Sequence, residues 1–231
     1  MHSRPRLNSS WRAKSESENL SPPSGVRITV ITAYNSEMDA IGRLTSHRLE
    51  QYCRCNDYRF VVHTDAAFDR QRPAAWSKIR MLQNAIHEAL ADYVLWVDAD
   101  AVVLRNDFRL ESVLRPEKRM FISSDLNGLN SGVWMVRADA AMDEFLETVY
   151  DQTQFLLHPW REQAALMHLV SINHADVASW IEHVPQRLWN SYLHGLYQRP
   201  TDDGEMNAES FILHVPALPL DQRLAVLKTY V

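Results

Sequence analysis

The sequence is poor in the features that mark nucleic-acid-binding proteins. Its 231 residues carry 24 Lys and Arg against 29 Asp and Glu, which gives a net charge of −5. Binding to nucleic acid needs a dense cationic face that displaces counterions, so we expect no nucleic-acid partner. Lysine itself is rare, because it occurs only at Lys14, Lys78, Lys118 and Lys228. This scarcity limits which phosphate-handling enzymes the chain can be.

Cysteine and long apolar runs are also scarce. Cys53 and Cys55 are too few for a four-ligand zinc site, so we expect two free thiols. No apolar run approaches the ~18 residues of a membrane-spanning helix, and the Arg- and Ser-rich N-terminus lacks the apolar segment of a secretory signal. We expect a soluble, cytoplasmic protein if the sequence is complete, and a Golgi or secretory-lumen protein if an N-terminal anchor was trimmed.

Strand and helix patterns alternate after a polar start. Residues 1–25 are rich in Ser and Pro and predict a disordered leader. The remainder, 26–231, predicts one α/β domain. Its first half has predicted strands at 26–32, 58–64 and 93–97. One predicted helix begins at Asn35 or Ser36 after the first strand, and another, at 76–91, follows the second strand. This order implies a doubly wound, Rossmann-like sheet with helices on both faces.

The second half predicts a more irregular arrangement. Its predicted strands and helices lie at 119–124, 133–137, 139–156, 161–171, 180–184 and 211–213, with a polar loop at 125–132. We therefore expect a mixed sheet in a single domain. Residues 26–100 would form a nucleotide-binding half, and residues 101–231 would hold the donor sugar and the acceptor.

Two aspartates, Asp98 and Asp100, follow the third strand with one small residue between them. In such sheets ligands bind beyond the carboxyl ends of the strands, and Asp65 ends the second strand at the same edge. Two carboxylates beside a diphosphate suit Mg²⁺ or Mn²⁺, because the metal neutralises the charge of a leaving pyrophosphate. An exposed acidic turn is the structural alternative for the same pattern.

A haloacid-dehalogenase-like phosphatase is the rival enzyme hypothesis. Asp98 and Asp100 would be its nucleophile motif, Phe121-Ile122-Ser123-Ser124 its hydroxyl motif and Asp202-Asp203 its acidic motif. Two observations count against it. Two strand–helix units precede Asp98, whereas that nucleophile strand normally opens the core, and no lysine lies between Lys118 and Lys228 to bind the phosphate.

An ordered set of short blocks carries a family resemblance. The blocks are Trp76-Ser77-Lys78, Trp96-Val97-Asp98-Ala99-Asp100, Asp125, Leu129-Asn130-Ser131-Gly132-Val133, Glu162-Gln163, Val184-Pro185-Gln186, Asn190-Ser191-Tyr192 and Leu213-His214. In this order, over roughly residues 26–216, the chain resembles the family of fungal α-galactosyl- and α-mannosyltransferases and plant xyloglucan xylosyltransferases. The resemblance implies a GT-A fold, a nucleotide-sugar donor, Mn²⁺ and retention of anomeric configuration.

The resemblance also implies residue roles at the metal and the donor. Asp98, Asp100 and His214 match the family's metal ligands, and a nitrogen beside carboxylate oxygens suits Mn²⁺ better than Mg²⁺, which remains possible. Lys78 matches a position facing the donor, although a solvated helix lysine is its structural alternative. Further donor contacts fall on Thr32, Tyr34, Asp65, Asp125, Asn130 and Gly132, where glycine permits a close backbone approach.

The catalytic residues implied by the resemblance are Glu162, Gln163 and Asp125. Gln163 would lie beneath the reacting carbon of the donor sugar, with Glu162 orienting donor or acceptor. The chain departs from the family pattern at two places. Arg161 replaces an acidic residue, and the segment after His214 lacks the usual small turn and cation, so that Arg223 and Lys228 are the nearest cations.

The sequence therefore predicts a glycosyltransferase. It would move a hexose or pentose from a nucleotide-sugar, with UDP-sugars favoured and GDP-mannose possible, to a glycan or other sugar hydroxyl. The alternative of a different class is a catalytically silent sugar-nucleotide or glycan-binding module on the same fold, because a fold alone does not fix a function.

Overall fold

The computed structural model describes residues 25–89, 91–195 and 204–231, so the predicted leader, apart from Gly25, lies outside the described residues. Its main feature is a six-stranded sheet. In spatial order the strands are β2 (Arg59–His63), β1 (Ile28–Ala33), β3 (Tyr93–Val97), β6 (Gly128–Arg137), β5 (Met120–Asp125) and β7 (Ile181–His183). A separate two-stranded ribbon pairs β4 (Ala101–Val103) with β8 (Ile212–His214).

The sheet is mixed, as expected from the sequence. Strand β1 runs parallel to both β2 and β3, whereas β6 is antiparallel to β3 and to β5. The outer strand β7 is parallel to β5. The helices are α1 (Asp39–Asn56), α2 (Ser77–His87), α3 (Ala140–Tyr150), α4 (Arg161–Ser171), α5 (Val177–Trp180), α6 (Gln186–Trp189) and α7 (Leu220–Leu227).

Helices cover both faces of the sheet because its central strands are apolar on both sides. Along β3, Val94 and Trp96 face a core shared with α2, α3 and α4, whereas Leu95 and Val97 face a core shared with α1. Burial of each large apolar side chain stabilises the fold by about 1.5–3 kcal/mol. Within the described part of the chain, no helix combines the length and the hydropathy needed to cross a membrane.

Several predicted elements agree with the structure in detail. Strand β3 has the predicted bounds, and the Asn35 side chain accepts a hydrogen bond from the Met38 backbone N–H ahead of α1. The predicted loop at 125–132 is wrong. Strand β6 already begins at Gly128 and pairs it with Asp125, because a tight turn closes a hairpin within that polar run.

Candidate active site

A cleft of about 520 Å³ opens where β1 and β3 end, as expected for an open α/β sheet. Most of the residues selected from the sequence line this cleft. They are Tyr34, Lys78, Asp98, Asp100, Asp125, Asn130, Glu162, Gln163 and His214. Residues predicted to contact the nucleotide, the metal and the sugar therefore lie in one cleft, although they come from distant parts of the chain.

Asp98, Asp100 and His214 form a group able to hold a metal ion. One ligand atom from each residue lies within 4.8 Å of the others. The aspartates follow β3, and the pairing of Ala101 with His214 in the β4–β8 ribbon brings the histidine to them. Two carboxylates and one imidazole are a donor set that divalent transition metals accept. The residues thus fit a divalent metal, and the structural alternative of an exposed acidic turn is excluded because Asp100 is buried.

The imidazole of His214 is oriented by a neighbouring amide. Its Nδ1 lies 2.7 Å from Asn190 Oδ1, and its Nε2 lies 3.2 Å from Asp100 Oδ1. An amide oxygen only accepts hydrogen bonds, so Nδ1 carries the hydrogen and donates it. Nε2 is then the nitrogen that faces the two carboxylates with its lone pair. A second partner of this kind is common around metal-binding histidines and fixes the ring.

Asn190→Ala is therefore expected to weaken metal binding by about 10–100-fold while leaving all three ligands in place. The affinity can be measured by titrating the protein with Mn²⁺ and following the electron paramagnetic resonance signal of free Mn²⁺. Asn84→Ala, on the exposed side of α2, is the matched control. Equal Mn²⁺ affinities in both variants would contradict the positioning role of Asn190.

Gly132 has a packing role that the sequence did not indicate. A Cβ atom at this position would lie 2.2 Å from Cε1 of His214. The missing side chain therefore makes room for the histidine, and the close approach of Gly132 to the donor sugar stays a prediction. The Gly132 carbonyl also accepts a hydrogen bond of 2.7 Å from the Asp98 backbone N–H. Any larger residue at 132 would displace His214 from the aspartates.

Lys78 is a buried cation between two carboxylates. Its Nζ lies 2.9 Å from Asp98 Oδ1 and 3.1 Å from Glu162 Oε1, and it donates to the Ser131 carbonyl at 3.1 Å. Burial opposes the charge on the ammonium, but the two carboxylates outweigh it and raise the pKa of Lys78. Lys78 is therefore charged and fixed, and the alternative of a solvated helix lysine is wrong.

Glu162 and Gln163 are both anchored by Ser131. The Ser131 hydroxyl donates to Glu162 Oε1 at 3.1 Å, and the Ser131 backbone N–H donates to Gln163 Oε1 at 3.0 Å. Burial raises the pKa of Glu162, against the opposing effect of Lys78. Glu162 Oε2 is buried and has no hydrogen-bond partner among the described residues. The carboxylate thus offers one oxygen to a ligand, and Gln163 offers its amide NH₂.

Asp125 and Asn130 hold each other at the end of the β5–β6 hairpin. Asn130 Nδ2 donates to Asp125 Oδ2 at 2.9 Å, and Asn130 Oδ1 accepts from the Gly132 backbone N–H at 2.9 Å. The two side chains are therefore fixed in the cleft wall before any ligand arrives. Such fixed polar groups suit recognition of sugar hydroxyls, because little side-chain entropy is lost on binding.

The structure brings a cation, Arg223, into the cleft, although the segment directly after His214 lacks one. Arg223 lies on α7, its Nη1 donates to Asp100 Oδ2 at 2.8 Å, and its Nη2 donates to the Leu218 carbonyl at 2.7 Å. Burial would raise the pKa of Asp100, but the interactions of its carboxylate with the His214 imidazole and the Arg223 guanidinium outweigh burial and lower the pKa to about 2. Sequence order alone placed Arg223 nine residues beyond the histidine; the chain turn at Pro219 and the start of α7 bring it back to the cleft.

Besides Gly132, two predicted donor contacts, Thr32 and Asp65, do not line the cleft. Thr32 is buried inside β1, because its side chain points into the sheet packing and the cleft begins one residue later, at Ala33. Asp65 is exposed, and its Oδ1 accepts a hydrogen bond of 2.9 Å from the Ser36 backbone N–H. Asp65 thus fixes the segment after β1 and is not part of the cleft wall.

Sequence reasoning missed several supporting residues. Trp96 Nε1 donates to Asp98 Oδ1 at 2.6 Å, so Asp98 is held from a second side beyond Lys78. Ser131 and Asn190 belong to the sequence blocks that carry the family resemblance, but the sequence assigns them no role. Their roles depend on contacts across 31 and 24 positions of the chain, which local sequence patterns do not encode.

Comparison with known proteins assigns the family. The model of the galactosyl transferase GMA12/MNN10 family matches residues 25–120 and 115–215. The chain belongs to this family. The resemblance inferred from the short blocks is confirmed, and the matched family is one of galactosyl transferases.

Two relatives of this galactosyl transferase family come from Schizosaccharomyces pombe. An uncharacterized alpha-1,2-galactosyltransferase is 25% identical over 52% of this chain and 42% of its own length. The probable alpha-1,2-galactosyltransferase gmh1 is 21% identical over 82% of this chain and 69% of its own length. The chain thus spans less than half of the first relative and about two thirds of the second.

A solved structure supports the fold. A glycosyltransferase involved in the glycosylation of the major capsid of PBCV-1 superposes with a TM-score of 0.72 at 15% identity, over 88% of this chain and 99% of that chain. The predicted GT-A-type α/β fold is confirmed. The family match is to galactosyl transferases, and it therefore gives no support to the phosphatase alternative. The predicted acidic motif of that alternative, Asp202-Asp203, lies outside the described residues.

Proposed function

We propose that this protein is a metal-dependent, retaining glycosyltransferase. It moves a hexose or pentose from a nucleotide-sugar, with UDP-sugars favoured and GDP-mannose possible, to the hydroxyl of a glycan or other sugar. The observation that carries the proposal is the Asp98–Asp100–His214 group in one cleft with Lys78, Glu162 and Gln163. The family description and the names of the relatives, which are galactosyltransferases, favour galactose as the sugar.

Asp98, Asp100 and His214 would hold the metal, and we propose Mn²⁺, with Mg²⁺ as the alternative. When bound, the metal stabilises the charge that develops on the departing diphosphate. The chain's own contribution is to fix these ligands. Lys78 and Trp96 hold Asp98, whereas Asn190 holds His214. Such preorganisation means that little reorganisation is needed as charge develops in the reaction.

The donor sugar would lie above Gln163 in the proposed arrangement. Glu162 Oε2, which has no hydrogen-bond partner among the described residues, accepts a hydrogen bond from a hydroxyl of the donor sugar. The Asp125–Asn130 pair binds further hydroxyls of the same sugar. The bond from the anomeric carbon to the diphosphate oxygen breaks, and the bond to the acceptor oxygen forms on the same face. The departing diphosphate oxygen takes the acceptor proton, so no protein carboxylate needs to act as a nucleophile.

Gln163→Ala is expected to reduce kcat more than tenfold, which is over ~1.4 kcal/mol of barrier, with little change in nucleotide affinity. Its amide lies in the cleft and is anchored through Oε1 by Ser131, so the substitution removes a fixed group beneath the sugar. The matched control is Gln154→Ala, which is exposed on the surface. Intact-protein mass spectrometry that finds a sugar attached to Glu162 would overturn the front-face mechanism and make Glu162 the nucleophile.

A donor panel tests the proposed function. Purified protein with Mn²⁺ is incubated with UDP-galactose, UDP-xylose, UDP-glucose and GDP-mannose, and release of UDP or GDP is measured by chromatography together with thermal stability. We expect slow hydrolysis of a UDP-sugar, and a stabilisation of roughly 2.7 kcal/mol at a ligand concentration of 100 Kd. Stabilisation by a nucleotide-sugar without any hydrolysis, even with sugar acceptors added, would instead indicate the silent binding module.

A further inference from the structure

Trp160 is an exposed aromatic side chain at the mouth of the cleft. It precedes α4, lines the cleft and is 41% exposed. Among the large exposed apolar side chains of the described residues it is the one aromatic ring, since the others are Val62, Leu126, Leu157, Ile172, Leu220 and Val231. Nothing in the proposed donor or metal chemistry uses this ring.

The Trp160 ring is held in place although it faces solvent. The Trp160 backbone N–H donates to His158 Nδ1 at 3.1 Å, and the two rings lie 5.6 Å apart. His158 in turn lies 6.0 Å from Phe155, which contacts His168 of α4 at 5.4 Å. A row of four rings therefore runs from α4 to the cleft mouth. Fixing an exposed aromatic ring before binding is a form of preorganisation.

The backbone next to Trp160 is strained. Arg161 has a φ of 46°, in the left-handed region that a residue with a side chain rarely adopts. Strain of this kind costs of order 1–3 kcal/mol and is concentrated at ligand-binding sites, where the surrounding structure imposes it. Here the Arg161 backbone N–H donates to the His158 carbonyl, and its guanidinium donates to the Leu156 carbonyl at 3.2 Å. The strained turn directs Trp160 to the cleft.

The position of Trp160 along the sheet separates it from the nucleotide end. In the order β1–β3–β6, Tyr34 follows β1, the metal-binding aspartates follow β3, and α4 packs beside β6. We place the nucleotide at the β1 end, where Tyr34 lines the cleft, whereas Trp160 lines the cleft at the start of α4, three residues before Gln163. A second substrate that enters beside the start of α4 would reach the donor sugar above Gln163.

We propose that Trp160 is the platform on which the acceptor sugar binds. A pyranose ring has one apolar face of C–H groups with a slight positive charge, which complements the negative face of an indole ring. Asn127, at the turn of the β5–β6 hairpin, lines the same cleft and would bind a hydroxyl of the acceptor. The inference rests on the proposed function, because it assigns the acceptor to a saccharide.

Methyl α-galactopyranoside and methyl α-mannopyranoside are the probes. Their KM as acceptors is measured with radiolabelled UDP-galactose and Mn²⁺, and their direct binding by saturation-transfer NMR with UDP and Mg²⁺ present. Trp160→Ala should raise the glycoside KM at least about tenfold, with Trp160→Phe recovering most of the loss. Leu157→Ala is the control, because Leu157 lies in the same loop, is 84% exposed and is outside the cleft lining.

The outcomes separate this inference from the proposed function. A Trp160→Ala variant with weakened glycoside binding and an unchanged stabilisation by UDP supports the acceptor platform. A variant that loses UDP binding in proportion, or one with unchanged glycoside binding, overturns it. Wild-type protein that hydrolyses UDP-sugar but binds neither glycoside overturns it as well. Wild-type protein that binds the glycosides through Trp160 but hydrolyses no donor contradicts the proposed enzyme and supports the platform.

Discussion

Asp100→Asn is expected to lower kcat for donor turnover by about 10³-fold, the equivalent of about 4 kcal/mol of barrier. The amide keeps the size of the side chain but removes the charge that a divalent metal needs. Asp100 also contacts the His214 imidazole and accepts a hydrogen bond from Arg223, so the substitution weakens both of these contacts as well. Turnover is measured by UDP release, and nucleotide binding by thermal stabilisation with Mn²⁺ present.

The control for Asp100→Asn is Asp107→Asn. Asp107 is exposed, outside the cleft, and paired with Arg105 at 2.7 Å. This control should keep the wild-type turnover and the Mn²⁺-dependent binding of UDP. If Asp100→Asn retains a melting transition and turns over the donor at more than a tenth of the wild-type rate, Asp100 is not a metal ligand that matters for the reaction.

Lys78→Met is expected to lower the free energy of unfolding by about 3–5 kcal/mol, because it leaves the buried Glu162 and the partly buried Asp98 without their cation. For a chain of 231 residues this corresponds to a fall in Tm of about 6–20 °C. Asp98 and Glu162 would then face each other as like charges in a buried site. Thermal unfolding followed by circular dichroism gives the change directly. Lys228→Met, on the exposed C-terminal end of α7, should leave Tm unchanged.

A second substitution distinguishes lost charge pairing from lost packing. Adding Glu162→Gln to Lys78→Met removes one of the two unpaired carboxylates, so the double variant should regain part of the lost stability. The interaction energy between the two positions should then exceed about 0.5 kcal/mol in a double-mutant cycle. Strictly additive losses would mean that Lys78 stabilises the fold through packing of its methylene groups alone.

Local patterns predicted the parts of the fold that depend on neighbouring residues. The continuous apolar run of β3 gave a strand with the observed bounds, and Asn35 caps the turn ahead of α1 as expected. The position of Asp98 and Asp100 at the end of β3 follows from the same run. Hydrophobic periodicity is a short-range signal, and it is strongest where a strand is buried on both faces.

The parts of the site that depend on distant pairing could not be predicted from local patterns. His214 reaches Asp100 across 114 residues because β8 pairs with β4, and β4 was not predicted as a strand. The sequence pointed to His214 only through the family resemblance. The sequence predicts a loop where the hairpin turn at Asp125–Gly128 lies, because Asn, Gly and Ser are common in tight turns as well as in longer loops. The division into a nucleotide-binding half and a sugar-binding half stays a prediction, as does the compartment of the protein.

Gly132 has a structural reason to be glycine that the family resemblance did not indicate. The resemblance selected Gly132, and the structure confirms that a side chain does not fit there. The atom that excludes a side chain belongs to His214, 2.2 Å from an added Cβ, rather than to a ligand. A glycine in a functional block can serve the packing of a neighbouring ligand-binding residue, which only the three-dimensional arrangement reveals.

The most direct test of the central claim is the metal dependence of donor hydrolysis. Protein is treated with EDTA, desalted and assayed with UDP-galactose, the favoured donor, before and after addition of Mn²⁺. The Asp98–Asp100–His214 group predicts no measurable UDP release from the chelated protein, and recovery of release as Mn²⁺ is restored. Undiminished release of UDP with EDTA present throughout would contradict the metal-dependent mechanism.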